Sequence, residues 1–149
     1  MTGNEKRYVL GIDCGTQSLR AALYDLEGNL ASADAQPFPI EYPQVGWAEQ
    51  NPTQWWQAAR VTVPNVLRMA GVHPRDVAGV SIDGTSCTVV ACDRSGELLR
   101  PAILWMDQRA HAEAEEVTAT GAPVLKYVSG AVSPEWMIPK AMWLKRHQP

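Results

Sequence analysis

Three short apolar segments, separated by turn residues, occupy the first part of the chain. They cover residues 8–12, 19–24 and 30–35, and Asp25-Leu26-Glu27-Gly28-Asn29 stands between the last two. Apolar runs of this length predict buried strands, and an Asp-x-x-Gly segment between them predicts a tight turn. The pattern therefore predicts three strands joined by two hairpins in an antiparallel meander.

The next segment, residues 37–52, contains four prolines and no clean periodicity, which indicates a long ordered loop. Asn51 is suited to cap a helix and Pro52 to occupy its first position, while Gly71 is a natural C-terminal stop. Pro64 lies inside this helix, so a kink is expected there. Apolar residues at helical spacing predict its buried face: Trp55, Trp56, Ala59, Val63, Val66, Leu67 and Ala70.

Further extended segments follow the helix. Residues 77–82 predict a strand that ends at Asp83, residues 87–92 predict another, and residues 103–106 a shorter extended piece. Three strands before the first helix favour a ribonuclease-H-like α/β fold, with a mixed sheet and flanking helices, over a doubly wound dinucleotide fold.

Two more helices are predicted toward the end of the chain. Asp107 is suited to cap a helix that runs to residue 119, and Ser133-Pro134 to open one that runs to residue 144, with Pro139 early in it. Residues 24–30 and 92–98 also resemble each other, because each reads as a strand, an Asp-x-x-Gly turn and a second strand.

Composition narrows the class of protein. The 149 residues are 46% hydrophobic and 19% charged, which fits one domain or one lobe of a larger soluble protein, and the net charge of −3 argues against a nucleic-acid partner. Cys14, Cys87 and Cys92 have neither a disulfide nor a metal-binding spacing, so they are interpreted as buried free thiols. No apolar run reaches membrane-spanning length, and residues 1–6 lack a signal-peptide core, so we expect a cytoplasmic protein without a membrane partner.

The segment between the first two strands carries the clearest candidate chemistry. Gly15 lets the backbone approach a ligand and adopt positive φ, and the amides and hydroxyls that follow can donate to phosphate oxygens. Asp13 ends the first strand, where its carboxylate can hold Mg²⁺ directly or through water. An ordinary tight hairpin is the alternative interpretation. The predicted phosphate-binding set is Asp13, Gly15, Thr16, Gln17, Ser18 and Arg20.

Residues 11–21 resemble the first phosphate motif of the FGGY carbohydrate kinases, which belong to the actin-like ATPase superfamily and consist of two ribonuclease-H-like lobes. Four further segments match in order: residues 46–52, 79–88, 105–110 and 133–140. The resemblance implies that residues 1–149 are the amino-terminal lobe, with its sugar and phosphate side, and that the carboxy-terminal lobe is absent from a truncated chain. It also implies ATP and Mg²⁺ as cofactors and a small sugar as substrate.

Residues 81–88 distinguish subgroups of this family. They resemble the Asp-x-Thr-x-x-Thr pattern of ribulokinases rather than the Gln-Met-His pattern of xylulokinases or the Gln-Arg-Glu pattern of glycerol kinases. Gln108 stands where relatives often have His. The resemblance implies substrate contacts from Asp83, Thr85, Ser86, Trp105, Asp107, Arg109 and Glu135. Structural alternatives are that Asp107 only caps its helix, that Arg109 is solvated and that Trp105 belongs to the core.

The expected activity is ATP-dependent phosphorylation of a ketopentose such as ribulose by the full-length enzyme. The resemblance places the general base, an Asp, in the missing lobe, so the chain alone is expected to have little or no kinase activity. Surface normally covered by that lobe is expected to cause self-association, including a homo-oligomer. Alternatives are a kinase for xylulose or another polyol, a non-catalytic sugar- or nucleotide-binding lobe, and a metal-dependent nuclease using Asp13 and Asp83.

Overall fold

The computed structural model describes residues 7–148, and the polar segment 1–6 considered above lies outside the described residues. The chain divides into two compact units. The first comprises the residues up to Pro39 together with Thr53–Thr85, and the second comprises Ile40–Pro52 together with the residues from Ser86 onward. The regular elements are β1 Tyr8–Cys14, β2 Ser18–Asp25, β3 Leu30–Pro37, β4 Glu49–Gln50, α1 Pro52–Ala70, β5 Val77–Gly84, β6 Ala102–Ile103, α2 His111–Ala119 and α3 Met137–His147, with short 3-10 helices at Pro74–Asp76 and Pro123–Val128.

A four-stranded mixed sheet forms the centre of the first unit. Its strand order is β3-β2-β1-β5, with antiparallel pairing from β1 to β3 and parallel pairing between β1 and β5. The predicted antiparallel meander and mixed sheet are therefore confirmed. The two hairpins form because turn residues separate apolar runs that are each long enough for one strand.

Helix α1 packs on one face of this sheet. Leu10, Ala21 and Leu23 from the strands form a buried cluster with Val66 from the helix. The predicted apolar face is confirmed except at Trp56, which is 68% exposed. The helix runs without a break through Pro64 and ends before Gly71, whose φ of 65° is the left-handed conformation that glycine favours.

The second unit has its own core. Ile103, Ala110 and Trp143 are buried together, and Trp47 and Val89 pack against them. Strand β4 pairs with β6 in an antiparallel two-stranded sheet. The strand predicted over residues 87–92 is wrong, because this segment makes only isolated bridges, Val89 with Ile103 and Cys92 with Leu98.

Both helices of the second unit begin later than predicted. Helix α2 begins at His111 because the Asp107 carboxylate bonds the Arg109 amide and side chain instead of capping a helix. Helix α3 begins at Met137 because residues 133–136 form a turn, in which the Trp136 amide donates to the Ser133 carbonyl. Pro139 lies in the first turn of α3, where a missing amide hydrogen is tolerated.

All three cysteines are free, as predicted. Cys14 and Cys87 are half-buried but Cys92 is exposed, so the prediction of buried thiols is wrong for Cys92. Burial, with a smaller contribution from Asp13, raises the pKa of the Cys14 thiol. No helix within residues 7–148 is both long and apolar enough to cross a membrane.

Candidate functional site

The tip of the β1–β2 hairpin holds the predicted phosphate-binding residues. The Gly15 amide donates to the Ser18 carbonyl oxygen at 3.0 Å and closes the turn. A Cβ added at Gly15 would lie 3.3 Å from that oxygen and 3.8 Å from Asp13 Oδ1. The prediction of positive φ at Gly15 is wrong, since it is not among the positive-φ glycines. Close approach of the two strands, rather than a left-handed backbone, is what favours glycine here.

Asp13 and Arg20 face each other across this hairpin. Arg20 Nη1 donates to Asp13 Oδ2 at 2.8 Å, and the two side chains are 64% and 44% exposed. An exposed ion pair of this kind contributes only about 0–1 kcal/mol. Both groups can therefore exchange this contact for a stronger one with a ligand of opposite charge.

Asp83 ends the strand beside the hairpin. In the parallel register of β1 and β5, Asp13 stands opposite Asp83 and Cys14 opposite Gly84. The prediction that the two aspartates end neighbouring strands is confirmed. Asp83 Oδ1 accepts from the Gly84 amide at 2.9 Å, and Thr85 follows it on the exposed surface.

The carboxylate oxygens of Asp13 and Asp83, near the carboxyl ends of β1 and β5, are of the type that Mg²⁺ prefers. Within the described part of the chain, no group of three His, Cys, Asp or Glu side chains is placed to hold a metal ion. That donor set fits a magnesium ion that receives one or two protein carboxylates and completes its shell with water and phosphate oxygens, which is its usual mode of binding. Asp13 has the exposure required of such a ligand.

The second unit brings together three exposed or half-buried polar and aromatic side chains, which we call the Trp105 cluster: Trp105, Gln108 and Glu135. Gln108 Nε2 donates to Glu135 Oε1 at 2.9 Å and so orients the carboxylate. The Trp105 amide donates to Thr88 Oγ1 at 3.2 Å, and the Trp105 residue is 37% exposed. The cluster thus combines a flat apolar ring with an oriented acceptor, a combination suited to a polyol. Ser86 is exposed on the same unit.

Asp107 and Arg109 lie inside the second unit. The Asp107 carboxylate accepts from the Ala48 amide at 2.7 Å and from Arg109 Nε and Nη2 at 2.9 and 2.8 Å. Arg109 also pairs with Glu49 at 2.7 Å, and its guanidinium carbon lies 3.7 Å from the Trp47 ring centroid. The alternative of a solvated Arg109 is wrong, because its side chain is fully buried. The substrate contacts predicted for these two residues stay predictions, and both have a structural role.

Lys140 is a residue that the sequence analysis did not single out. Its Nζ donates to four backbone carbonyls, those of Cys87, Leu104, Trp105 and Glu135, at 3.1, 2.7, 3.0 and 2.6 Å. Burial lowers the pKa of Lys140 to about 8, although nearby Asp107 acts in the opposite direction. A signal was available in the sequence, since Lys140 shares a helix face with Trp143 and Leu144, which belong to the core.

The fold is that of a known class of carbohydrate kinases. The chain belongs to the FGGY family of carbohydrate kinases, because the family model of the N-terminal domain matches residues 8–149. Its solved structural neighbours have the actin-like ATPase fold, which confirms the predicted fold class.

Individual relatives have different named activities. The chain is 37% identical to a ribulokinase of Geobacillus thermodenitrificans, over 97% of the chain and 30% of the relative. It is 32% identical to a glycerol kinase of Thermococcus gammatolerans, over 97% of the chain and 29% of the relative. A crystal structure of xylulose kinase from Rhodospirillum rubrum matches with a TM-score of 0.87 and 31% identity, over 96% of the chain and 30% of that protein. The chain therefore spans less than a third of the length of these relatives.

Proposed function

We propose that the full-length enzyme transfers the γ-phosphate of ATP to a hydroxyl group of a ketopentose, with ribulose as the preferred sugar. The observation that carries this proposal is the hairpin tip at Gly15, with Asp13 opposite Asp83 at the ends of two parallel strands. The Asp-x-Thr-x-x-Thr pattern that begins at Asp83 and the similarity to ribulokinases support ribulose. A D-ribulokinase of Saccharomyces cerevisiae, 35% identical over 96% of the chain and 21% of the relative, adds to this support.

The hairpin tip is the proposed phosphate-binding site. Amide and hydroxyl groups of Thr16, Gln17 and Ser18 would donate to phosphate oxygens, and Gly15 would let those oxygens approach the backbone. Arg20 would exchange its exposed contact with Asp13 for one with a phosphate, which leaves the Asp13 carboxylate for Mg²⁺. Bound at this tip, MgATP would supply the phosphoryl group and a metal charge opposite its oxygens.

The residues proposed to contact the sugar are those that the family resemblance implies. In the first unit, Asp83 and Thr85 would bond sugar hydroxyls through short, directional side chains. In the second unit, the Trp105 ring would pack on the apolar face of the sugar, and Glu135 and Ser86 would bond its hydroxyls. Asp107 and Arg109 would support sugar binding indirectly, by holding the backbone around Trp105 in place. They would contact the sugar directly only if their buried ion pair separated.

The general base and the adenine pocket would lie in a carboxy-terminal lobe, as in the family, so the 149-residue chain by itself would turn over ATP slowly or not at all. Water exclusion by lobe closure would limit wasteful ATP hydrolysis. A cytoplasmic location fits an enzyme that uses ATP and a free sugar.

The experiment measures ADP release by the full-length enzyme with D-ribulose, L-ribulose, D-xylulose and glycerol as acceptors. A ribulose is expected to give the highest kcat/KM. A preference for D-xylulose or glycerol would show that the proposed acceptor is wrong but would still support phosphoryl transfer from ATP. No sugar-dependent ADP release, combined with cleavage of a labelled RNA–DNA hybrid, would overturn the proposal in favour of the nuclease alternative.

A matched pair of glycine variants tests the phosphate site. In Gly15→Ala the added Cβ crowds the Ser18 carbonyl oxygen, so kcat/KM for ATP should fall by about tenfold or more while sugar affinity is kept, because each lost bond to a charged oxygen costs about 1.5–3 kcal/mol. Gly79→Ala, on the neighbouring strand where an added Cβ meets nothing within 4 Å, should have wild-type kinetics. Equal ATP kinetics in both variants would count against the hairpin as a phosphate site.

A further inference from the structure

We propose that Lys140 is a positioning residue for sugar binding, which ties the backbone of Cys87, Trp105 and Glu135 to a single point beneath the Trp105 cluster. The inference rests on the proposed function, because it assumes that the cluster binds the sugar. Lys140 does not itself contact the sugar in this proposal, since its side chain is fully buried.

The geometry of the ammonium group is the first support. Four carbonyl oxygens lie within 3.1 Å of Nζ, whereas an ammonium has three hydrogens, so at least one hydrogen is shared between two acceptors. The acceptors come from three separate parts of the chain, around residues 87, 104–105 and 135. One side chain therefore joins segments that have no regular secondary structure in common.

The second support is the backbone at Cys87. Its φ of 62° is a left-handed conformation that non-glycine residues rarely adopt, and such conformations persist only where the surroundings enforce them. The bond from Lys140 to the Cys87 carbonyl supplies such a constraint. Ser86, a predicted sugar contact, is the preceding residue, so the same bond fixes its position as well.

The third support is the charge around the amine. Asp107, Cys87 and Glu135 favour the charged form, whereas Arg109 and, above all, burial oppose it. The neutral amine has only two hydrogens for four carbonyls, and its lone pair repels an acceptor. Deprotonation should therefore loosen the three segments as the pH rises through about 8.

The free energy of unfolding should rise, rather than fall, as the pH rises above about 8. The pKa of Lys140 is lowered in the folded state from 10.5 to about 8, so between these values the unfolded chain binds the extra proton. Loss of this proton is easier in the folded state, so the contribution of Lys140 to folding stability rises as the pH rises through that window. A loss of sugar affinity there is consequently distinguishable from unfolding.

The first experiment needs no substitution. The full-length enzyme is acetylated with a limiting amount of acetic anhydride, and modification of each lysine is followed by peptide mass spectrometry. Lys140 should react at least about tenfold more slowly than the exposed Lys145 of the same helix, because its reaction requires local opening. Equal reaction rates would overturn the proposal.

The second experiment compares Lys140→Met with the control Lys145→Met in the full-length enzyme. Lys140→Met should raise amide hydrogen exchange around residues 87, 105 and 135 and weaken ribulose binding by about tenfold or more, with MgATP affinity unchanged. Lys145→Met should match wild type in all three measurements. Wild-type exchange and wild-type ribulose affinity in Lys140→Met would overturn the proposal.

The third experiment distinguishes positioning from general stability. Ribulose affinity is measured from pH 7 to about pH 9.5 in a Cys87→Ser background, because a thiol ordinarily ionises in this range. Affinity should fall as the pH rises through about 8, and should be flat when Lys140→Met is added. A flat profile in the Cys87→Ser enzyme would overturn the proposal, and it remains informative if Lys140→Met does not fold. If no sugar binds to wild type while amide hydrogen exchange rises in Lys140→Met, the proposed function fails. Lys140 then holds the three backbone segments together without a role in sugar binding.

Discussion

At the scale of single residues, the most consequential contacts are those of charged groups inside the second unit. Asp107, Arg109 and Glu49 form a connected set in which Arg109 bonds both carboxylates and lies over the Trp47 ring. Burial of charge is costly unless the charge is paired, and Arg109 Nη1 is buried without a hydrogen-bond partner among residues 7–148, so loss of a carboxylate from this set should be destabilising. This set holds the backbone that leads from β6 into α2, and Trp105 and Gln108 of the Trp105 cluster lie on that backbone.

Asp107→Asn tests whether this carboxylate is structural. The amide keeps the shape of the side chain but removes the charge opposite Arg109, so the free energy of unfolding should fall by about 3 kcal/mol or more. Urea denaturation followed by tryptophan fluorescence measures this change.

Glu115→Gln is the matched control for that substitution. Glu115 is an exposed carboxylate on α2, so the free energy of unfolding of Glu115→Gln should stay within about 0.5 kcal/mol of wild type. If Asp107→Asn lowers sugar affinity but leaves the unfolding free energy unchanged, Asp107 acts as a direct substrate contact and the structural role is wrong.

At the scale of elements, the chain uses the same turn twice. The Asp25 carboxylate accepts from the amides of Glu27 and Asn29, and Asp93 accepts from those of Ser95 and Glu97 in the same way. Gly28 takes the left-handed position of the first turn with φ of 87°, and its counterpart in the second has φ of 90°. The similarity noted in the sequence therefore reflects a shared turn geometry, although only the first turn joins two regular strands.

The first of these turns should make stability depend on pH. Bonds from Asn29, through its side chain and its amide, lower the pKa of Asp25 below the ordinary 3.8. A carboxylate whose folded-state pKa is depressed contributes stability above 3.8 and loses it as the pH falls through the folded-state value. The difference in unfolding free energy between wild type and Asp25→Ala should thus be largest near neutral pH and should shrink below about pH 4.

Denaturation curves from pH 7 to about pH 3 measure that difference. Glu27→Ala, an exposed carboxylate in the same turn, serves as the control and should lower stability much less at every pH. A difference for Asp25→Ala that is constant over the whole pH range would show that the carboxylate charge does not hold the turn.

The elements of the first unit were predictable because their signals are local. Apolar runs, an Asp-x-x-Gly turn and a glycine after α1 specify β1 to β3 and the helix with few errors. The starts of α2 and α3 were not predictable from local signals. Asp107 is drawn away from capping by the Ala48 amide, which lies 59 residues earlier in the chain. Lys140 likewise depends on a carbonyl 53 residues away.

The same limit applies to the candidate site. The hairpin tip and the pairing of Asp13 with Asp83 follow from strand order, so sequence reasoning placed them correctly. Burial of Arg109 follows from aromatic rings at Trp47 and Trp143, which are distant in sequence. Which side chains reach a ligand therefore depends on long-range packing, which local patterns do not encode.

At the scale of the whole molecule, the sheet of the first unit has an uncovered part. Val80 and Ile82 of β5 pair with Leu10 and Ile12, so they lie on the sheet face that α1 covers farther along. They are nevertheless 58% and 72% exposed. Strand β5 is also an edge of its sheet, and an exposed apolar edge is a ready site for pairing with another chain.

The 149-residue chain should therefore associate with itself as its concentration rises, and Ile82→Thr should reduce this association. Threonine keeps the β-branched shape that suits a strand but removes apolar surface, so the fold should be retained. Sedimentation velocity over a hundredfold range of concentration measures the effect. Leu26→Thr, which removes a comparably exposed apolar side chain from the β2–β3 turn, should leave association unchanged. A wild-type chain that stays monomeric throughout this range would contradict the prediction, because it would show that the exposed β5 edge does not accept a partner strand.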